Sequence, residues 1–367
     1  MIFNEEQSML QDTVRAFVQE HAPVSDLRAV RADSSGPSYN LNLWNQLVEL
    51  GLPAVALSED DGGLGFGYMG LLAVLLETGK TIMASPLVSS VAAATSLIQL
   101  AGTDDQKSRW LPQLTSGEIT ATVAVQEGRH YSLPAVETQL IDGQLNGGKS
   151  MVMDLPEADL LIVIAKTAEG TLAAAVLESS KAEFDAQRYS LMDGRKYSDL
   201  TFTQTNVLPN NILGEGANRT AEIEQALDIA TVATAAEMVG GAESLIERTV
   251  QHLNDREQFD VKLATFQALQ HRCAEMYCQL ELVKSAVFSA FARLDRGKDI
   301  HKAASQVKAL ANDYYQHISN EAVQMHGGMG VTDELDVGLY LKRSRVCNQL
   351  FGDAAYHRQR YALALGL

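Results

Sequence analysis

The stretch DREQFDVKLATFQALQHRCAEMY, residues 255–277, decides how the rest of the chain is read, because it is echoed further on by QMHGGMG, residues 324–330. If residues 255–277 were one helix, Val261, Leu263, Phe266, Leu269 and Met276 would not fall on one stripe. DREQFDVK therefore predicts a loop or turn, with a helix starting near Ala264. Arg256, at the head of that loop, can hold an anion. Charges on a bundle helix usually mark only a solvated face. What separates this stretch from that reading is its order and spacing: R-E-Q-F, a short gap, F-Q, and then Q-x-H-G-G-x-G, all within a long helical C-terminal half.

Outward from it, the chain has 367 residues, 46% hydrophobic and 20% charged, enough for two or three domains with a sizeable core. The formal net charge of -17 argues against nucleic acid or an anionic membrane as a partner, so a phosphate-bearing ligand needs a local basic pocket. Cys273, Cys278 and Cys347 lack metal-ligand spacing and sit in apolar helical patterns, which predicts buried free thiols and fits a reducing cytoplasm. The opening MIFNEEQ has neither the basic nor the apolar region of an export signal, and no run approaches the roughly 18 apolar residues of a membrane span.

Three regions follow from the periodicity. Residues 1–118 read as all-helical: a helix over 3–21 capped by Asn4, another over 41–50 stopped by Gly51, an acidic glycine-rich loop, and apolar helices over 68–79 and 86–101. The glycine loop lacks the Lys and Ser/Thr of a phosphate cradle, so it reads as a tight connection. Residues 119–216 alternate in short runs between Gly, Asp and Asn, the signature of a small antiparallel β domain. Over 217–367 the helical period returns in four long segments, 223–253, 264–296, 301–325 and 336–365, which suggests a bundle.

At this point the chain resembles the acyl-CoA dehydrogenase family over essentially its whole length. The resemblance is carried by LWNQLVELGL with SEDDGGLGFG, by GTDDQKSRWLPQLTSGE, by LNGGK followed by ADLLIVIAKT, by TFTQTNVLPNNILGEG, by REQF with FQALQHRCAEM, and by QMHGGMG, in the family's order. It implies an α+β fold: an N-terminal helical domain, a middle antiparallel β domain and a C-terminal four-helix bundle. It also implies FAD as cofactor, α,β-dehydrogenation of an acyl-CoA thioester, an electron-transfer flavoprotein as electron acceptor, and a tetramer in which each flavin is shared across subunits.

In such enzymes the neighbouring subunit grips the pyrophosphate and adenine through R-x-x-F and Q-x-x-G-G. Here the resemblance assigns that grip to Arg256, Gln258, Phe259, Phe266, Gln324, Gly327 and Gly328, with Asp260 where a glycine is usual and Glu275 where an aspartate is usual. The flavin-ring side departs further. Gln126-Glu127-Gly128-Arg129-His130-Tyr131-Ser132 stands for T-E-P with its Gly-Ser pair, and Met151-Val152-Met153-Asp154 for W-I-T, so a hydroxyl donor is replaced by methionine. Where the family usually carries Y-E-G-T this chain reads Phe351-Gly352-Asp353-Ala354, which leaves Asp353 as the candidate base on a shorter arm. The alternative base position falls on Ala230, near Glu224, Asp228 and Glu237, for which a solvated or capping carboxylate is the plainer reading. His357, one turn beyond Asp353, reads as a satisfied structural histidine.

The favoured expectation is one subunit of a heteromeric acyl-CoA dehydrogenase, supplying the dinucleotide-binding half of a shared FAD site to a related subunit. A self-sufficient homo-oligomer using Asp353, and a non-catalytic acyl-CoA-binding or scaffold relative, remain open beside it.

Overall fold

The computed structural model describes residues 3–367. Asn4 opens the chain's first helix as a reciprocal cap: its side chain takes the Gln7 N–H while the Gln7 side chain takes the Asn4 N–H. The N-terminal region is α1 (Glu5–His21), α2 (Val24–Ala32), α3 (Leu41–Glu49), α4 (Gly67–Lys80), a π-helical stretch (Leu87–Thr95) running into α5 (Ser96–Ala101), and α6 (Asp104–Thr115). The short helix α2 was not expected from the sequence. Its apolar residues Val24, Leu27 and Val30 keep the helical period, but only nine residues carry it.

The middle region is a seven-stranded sheet: β1 (Ala121–Ala124), β2 (Gln139–Ile141), β3 (Gln144–Met153), β4 (Leu160–Lys166), β5 (Leu172–Glu178), β6 (Asp185–Ser190) and β7 (Lys196–Asn206). It is not purely antiparallel, because β4 runs parallel to β1 and meets β2 in parallel as well. Alternation within a strand reports which face is buried and carries no direction for its neighbour, so this mixture lay beyond the pattern. Strand β4 is buried over Leu160–Ala165 on both faces, as a central strand should be.

Helix α7 (Thr220–Asp255) is the axis of the C-terminal region. It is long and apolar enough to cross a membrane, but 94% of its most apolar window is buried inside the protein. A fully packed core helix and a membrane span share this composition. A two-strand hairpin follows, β8 (Glu257–Gln258) with β9 (Val261–Lys262), and then α8 (Gln267–Leu294) and α9 (His301–His326). The fourth expected segment is two helices, α10 (Val337–Gln349) and α11 (Ala354–Ala364), interrupted by the turn that carries Phe351 and Gly352, both at positive φ.

Two carboxylates expected at the surface are inside. Glu237 on α7 is paired with Arg195 at 2.6 Å and with Arg343 of α10 at 3.0 Å, and Arg343 also reaches Asp193 at 2.7 Å. Burial works against the Glu237 charge, and the two guanidiniums outweigh it, holding the carboxyl below its usual range. The four residues tie the turn between β6 and β7 to the bundle. Asp228 is likewise buried and takes Arg360 in a two-pronged contact. Of the three thiols only Cys347 is buried. Cys278 is exposed and Cys273 half-buried, because α8 presents a wide face outward.

Candidate functional site

Two places answer to the sequence motifs, and they differ in kind. At the first, α7 ends at Arg256, the C-cap residue, whose N–H bonds back to the His252 carbonyl at 2.9 Å. The hairpin then turns through Phe259 and Asp260, both at positive φ, and returns to Arg256 through the Leu263 N–H. A two-residue turn of this hand needs left-handed backbone at both positions, which explains how Asp260 can replace a glycine at modest cost.

Arg256, Gln258 and Phe259 are exposed, and Phe259 stands out at 84% accessibility with its ring edge-on to Phe266 at 6.2 Å. The Gln258 amide donates to the Glu257 carbonyl. Among the described residues Arg256 enters no ion pair, so its charge is available to a ligand.

Helix α9 ends beside it. Gln324 is exposed on the last turn, and Gly327 is the C-cap at φ 61°, ψ -142°, a conformation that favours glycine. Gly328 has an ordinary φ, and a Cβ built on it would meet no atom within 4 Å. The chain's own packing gives no reason for a glycine there, whereas close approach of a ligand to the backbone does. The rings of His252 and His326 stack at 4.2 Å and bring the two helix ends together.

The second place lies between the sheet and the α10–α11 turn. Val125, Met151 and Met153 on the sheet side face Leu350 and Phe351, and the space left among them is about 20 Å³. A cofactor ring needs a pocket of about 300 Å³ or more. Tyr131 lines the same space, edge-on to Phe351 at 6.4 Å and to Tyr356 at 5.2 Å.

The polar groups here are turned inward. The Met151 N–H donates to Asp199 at 3.1 Å and to the Tyr189 hydroxyl at 3.2 Å, and the Gln126 amide reaches the Met151 sulfur at 3.4 Å. Glu127 accepts from the Glu137 and Thr138 N–H groups and pairs with Lys149 at 2.5 Å. Burial pushes the Lys149 amine down to about 8, with Glu127 opposing the shift. Asp154 accepts from the Ser89 hydroxyl at 2.6 Å, and burial pushes its carboxyl up to about 6.

Asp353 is the N-cap of α11 and accepts the Tyr356 N–H at 2.8 Å. Gly352 sits at φ 107°, where an added Cβ would lie 2.6 Å from the Tyr356 ring and 3.0 Å from the His357 ring nitrogen. His357 donates from Nε2 to the Phe351 carbonyl at 2.9 Å, and burial next to Lys308 pushes it down to about 3. Lys308 is buried beneath the turn and donates to Asn312, to the Cys347 carbonyl and to the Gly352 carbonyl; burial pushes it down to about 7.

Arg256, Gln258 and Phe259 therefore share the hairpin and its base, Phe266 opens the helix that follows, and Gln324, Gly327 and Gly328 share the adjoining helix end, while Asp353 belongs to the other place. Sequence reasoning missed Lys308, Tyr131 and the His252–His326 stack. A lysine on one stripe with Ala304, Val307 and Ala311 was the available signal for the first. A larger cavity, about 790 Å³, opens between α6 and the outer strands and shares no residue with either place.

Residues 4–118 match the acyl-CoA dehydrogenase N-terminal domain and residues 220–366 the acyl-CoA dehydrogenase C-terminal domain. The chain belongs to the acyl-CoA dehydrogenase family, whose members are FAD-dependent oxidoreductases. It is 29% identical over 351 residues to acyl-CoA dehydrogenase IpdE2 of Mycolicibacterium smegmatis, covering 95% of each chain. Mitochondrial isovaleryl-CoA dehydrogenase of Pongo abelii is 28% identical over 362 residues, with 94% of this chain and 84% of that protein covered. Among solved structures, a variant of the Tcur3481-Tcur3483 steroid ACAD superposes with a TM-score of 0.90 at 28% identity, covering 100% of this chain and 99% of that one. The helical, β and helical order expected from the sequence is that of the family.

Proposed function

We propose that this chain is one subunit of a heteromeric acyl-CoA dehydrogenase and supplies the dinucleotide-binding half of an FAD site whose ring half, and whose base, stand on a related subunit. The observation that carries this reading is the contrast between an exposed, unpaired Arg256 with open glycines and a ring pocket of about 20 Å³. When bound, the flavin supplies a hydride acceptor for the substrate's β carbon. In this chain Arg256 would give a charge-assisted contact to the pyrophosphate, Gln324 an amide contact, Phe259 and Phe266 an apolar wall, and Gly327 and Gly328 room for the backbone to approach.

The chain's own ring pocket does not fit an isoalloxazine, because its volume and its donors are already used by Leu350, Phe351, Met151 and Asp199. Asp353 acts as a helix cap in this reading, and the α proton of the thioester is taken by a carboxylate of the related subunit. Similarity to a steroid acyl-CoA dehydrogenase supports a bulky, steroid-derived acyl group as substrate class, the family supports an electron-transfer flavoprotein as acceptor, and three free thiols fit the cytoplasm as location.

The absorbance spectrum of the purified chain, alone and co-expressed with a related subunit, tests the assignment. The chain alone is expected to be colourless and the complex yellow. Stoichiometric FAD in the single chain, with acyl-CoA-dependent dye reduction lost in Asp353→Asn, would instead establish a self-sufficient enzyme.

A further inference from the structure

The two halves of the grip come from helices whose ends are distant in sequence, and something must set their spacing. Arg256 follows α7, and Gln324, Gly327 and Gly328 end α9. The hairpin that carries Phe259 contributes little, since Glu257, Gln258, Val261 and Lys262 are all exposed. What bridges the ends is an aromatic stack: the His252 and His326 rings lie 4.2 Å apart and 25° from parallel. Each histidine belongs to its own half. The His252 carbonyl accepts the Arg256 N–H at 2.9 Å, closing the last turn of α7. His326 is buried, adjoins Gly327, and donates from Nδ1 to the Ala322 carbonyl at 2.8 Å.

We infer that His252 and His326 are positioning residues for the dinucleotide grip, holding Arg256 at a fixed spacing from Gln324 and the glycine pair as long as both rings are neutral. The inference rests on the reading of that grip as the holder of the flavin dinucleotide.

The chemistry of the pair limits it to one charge state. Two neutral imidazoles stack favourably, face to face and offset. Two imidazolium rings at this distance repel, in a partly dry site where the repulsion is poorly screened. Burial holds both rings below the ordinary histidine range; the charge of Arg256 adds to this for His252, and Asp255 opposes it.

The other charged groups around the stack line a cavity beside it: Glu247 and Arg248 from α7, and Glu334 and Asp336 from the turn before α10. Arg248 is already held by Asp336 at 3.1 Å. Because the folded pKa values lie below the unfolded one, the neutral stack is fully present above about pH 6.5 and is lost as pH falls through the folded values.

The test is FAD titration into the apo form of the co-expressed complex, followed by flavin fluorescence between pH 5 and pH 8. For the unmodified complex, Kd is expected to be flat above pH 7 and to rise about tenfold by pH 5. His252→Phe keeps a ring on His326 and removes the second charge, so it should bind as the unmodified complex does at pH 7.5 and lose most of the acid rise. His252→Ala should bind more weakly at every pH. A full acid rise in His252→Phe, the absence of any rise in the unmodified complex, or unchanged binding in a folded His252→Ala would each overturn the inference. Should His252→Ala fail to fold, the His252→Phe profile decides alone. Arg256→Ala separates the two levels: unchanged FAD affinity there would overturn the reading of the grip itself.

Discussion

The grip and the ring pocket are built in opposite ways. At the ends of α7 and α9 the chain leaves a guanidinium, an amide, a pair of aromatic rings and two glycines facing outward. Between the sheet and the α10–α11 turn it does the reverse and uses its donors and nearly all the volume for its own packing. An arrangement of the first kind adds little to the chain's own stability and stays open to something outside it; one of the second kind holds the fold together and leaves nothing for a ligand. Substitutions should therefore separate cleanly. Changes in the ring pocket should move stability, and changes in the grip should move flavin binding.

The largest effect is expected from Gly352→Glu, which places a glutamate where the resemblance would put one. Strain at φ 107° and the contacts of its Cβ with Tyr356 and His357 should lower unfolding free energy by on the order of 3 kcal/mol in urea melts, without creating activity in the isolated chain. Dehydrogenase activity from a stable Gly352→Glu chain would remove the contrast between the two places.

Lys308 gives the next effect, through pH. Its folded pKa of about 7 lies below the unfolded value of about 10.4, so above pH 7 the unfolded chain binds more protons and stability rises with pH. Between about pH 7.5 and 9.5 this amounts to about 2.5 kcal/mol, and the slope should be missing from Lys308→Met.

Arg256→Ala removes a charge-assisted contact worth about 1.5–3 kcal/mol and should weaken FAD binding by the complex roughly 10- to 100-fold while leaving the melting temperature of the isolated chain unchanged. The smallest effect is expected from Asp353→Asn. Asparagine caps a helix as well as aspartate does, so both stability within about 0.5 kcal/mol and turnover of the complex should survive. Loss of turnover on this change alone would return the base to this chain.

The sequence was informative where motif order and spacing carry the signal, and less so where packing decides. Arg256 stood out at the head of a loop, and the resemblance assigned Gln324 and the Gly327–Gly328 pair; in the structure all four are exposed. The helical regions followed from apolar period, since a three-turn stripe survives most substitutions. Lys308, Asp228 and Glu237 were harder to place, because a charged residue in a helix reads as solvated unless its partner is known. Arg343, Arg195 and Arg360 lie far from those residues in sequence. The closure of the ring pocket was half legible: the missing hydroxyl and the missing acid could be read, but that Tyr131 and Phe351 occupy the vacated room depends on how a loop folds back onto the sheet. The parallel pairing of β4 could not be read at all, since alternation carries no direction.

The backbone at Gly352 sets how many residues would have to change to admit a side chain there. Phe351 holds a left-handed conformation, and Lys308 and His357 bind the turn's carbonyls. A Cβ at 352 meets the rings of Tyr356 and His357, so the exclusion is written into four neighbours and not into the glycine alone. Admitting a carboxylate is a repacking problem for the whole turn, beyond the reach of one exchange.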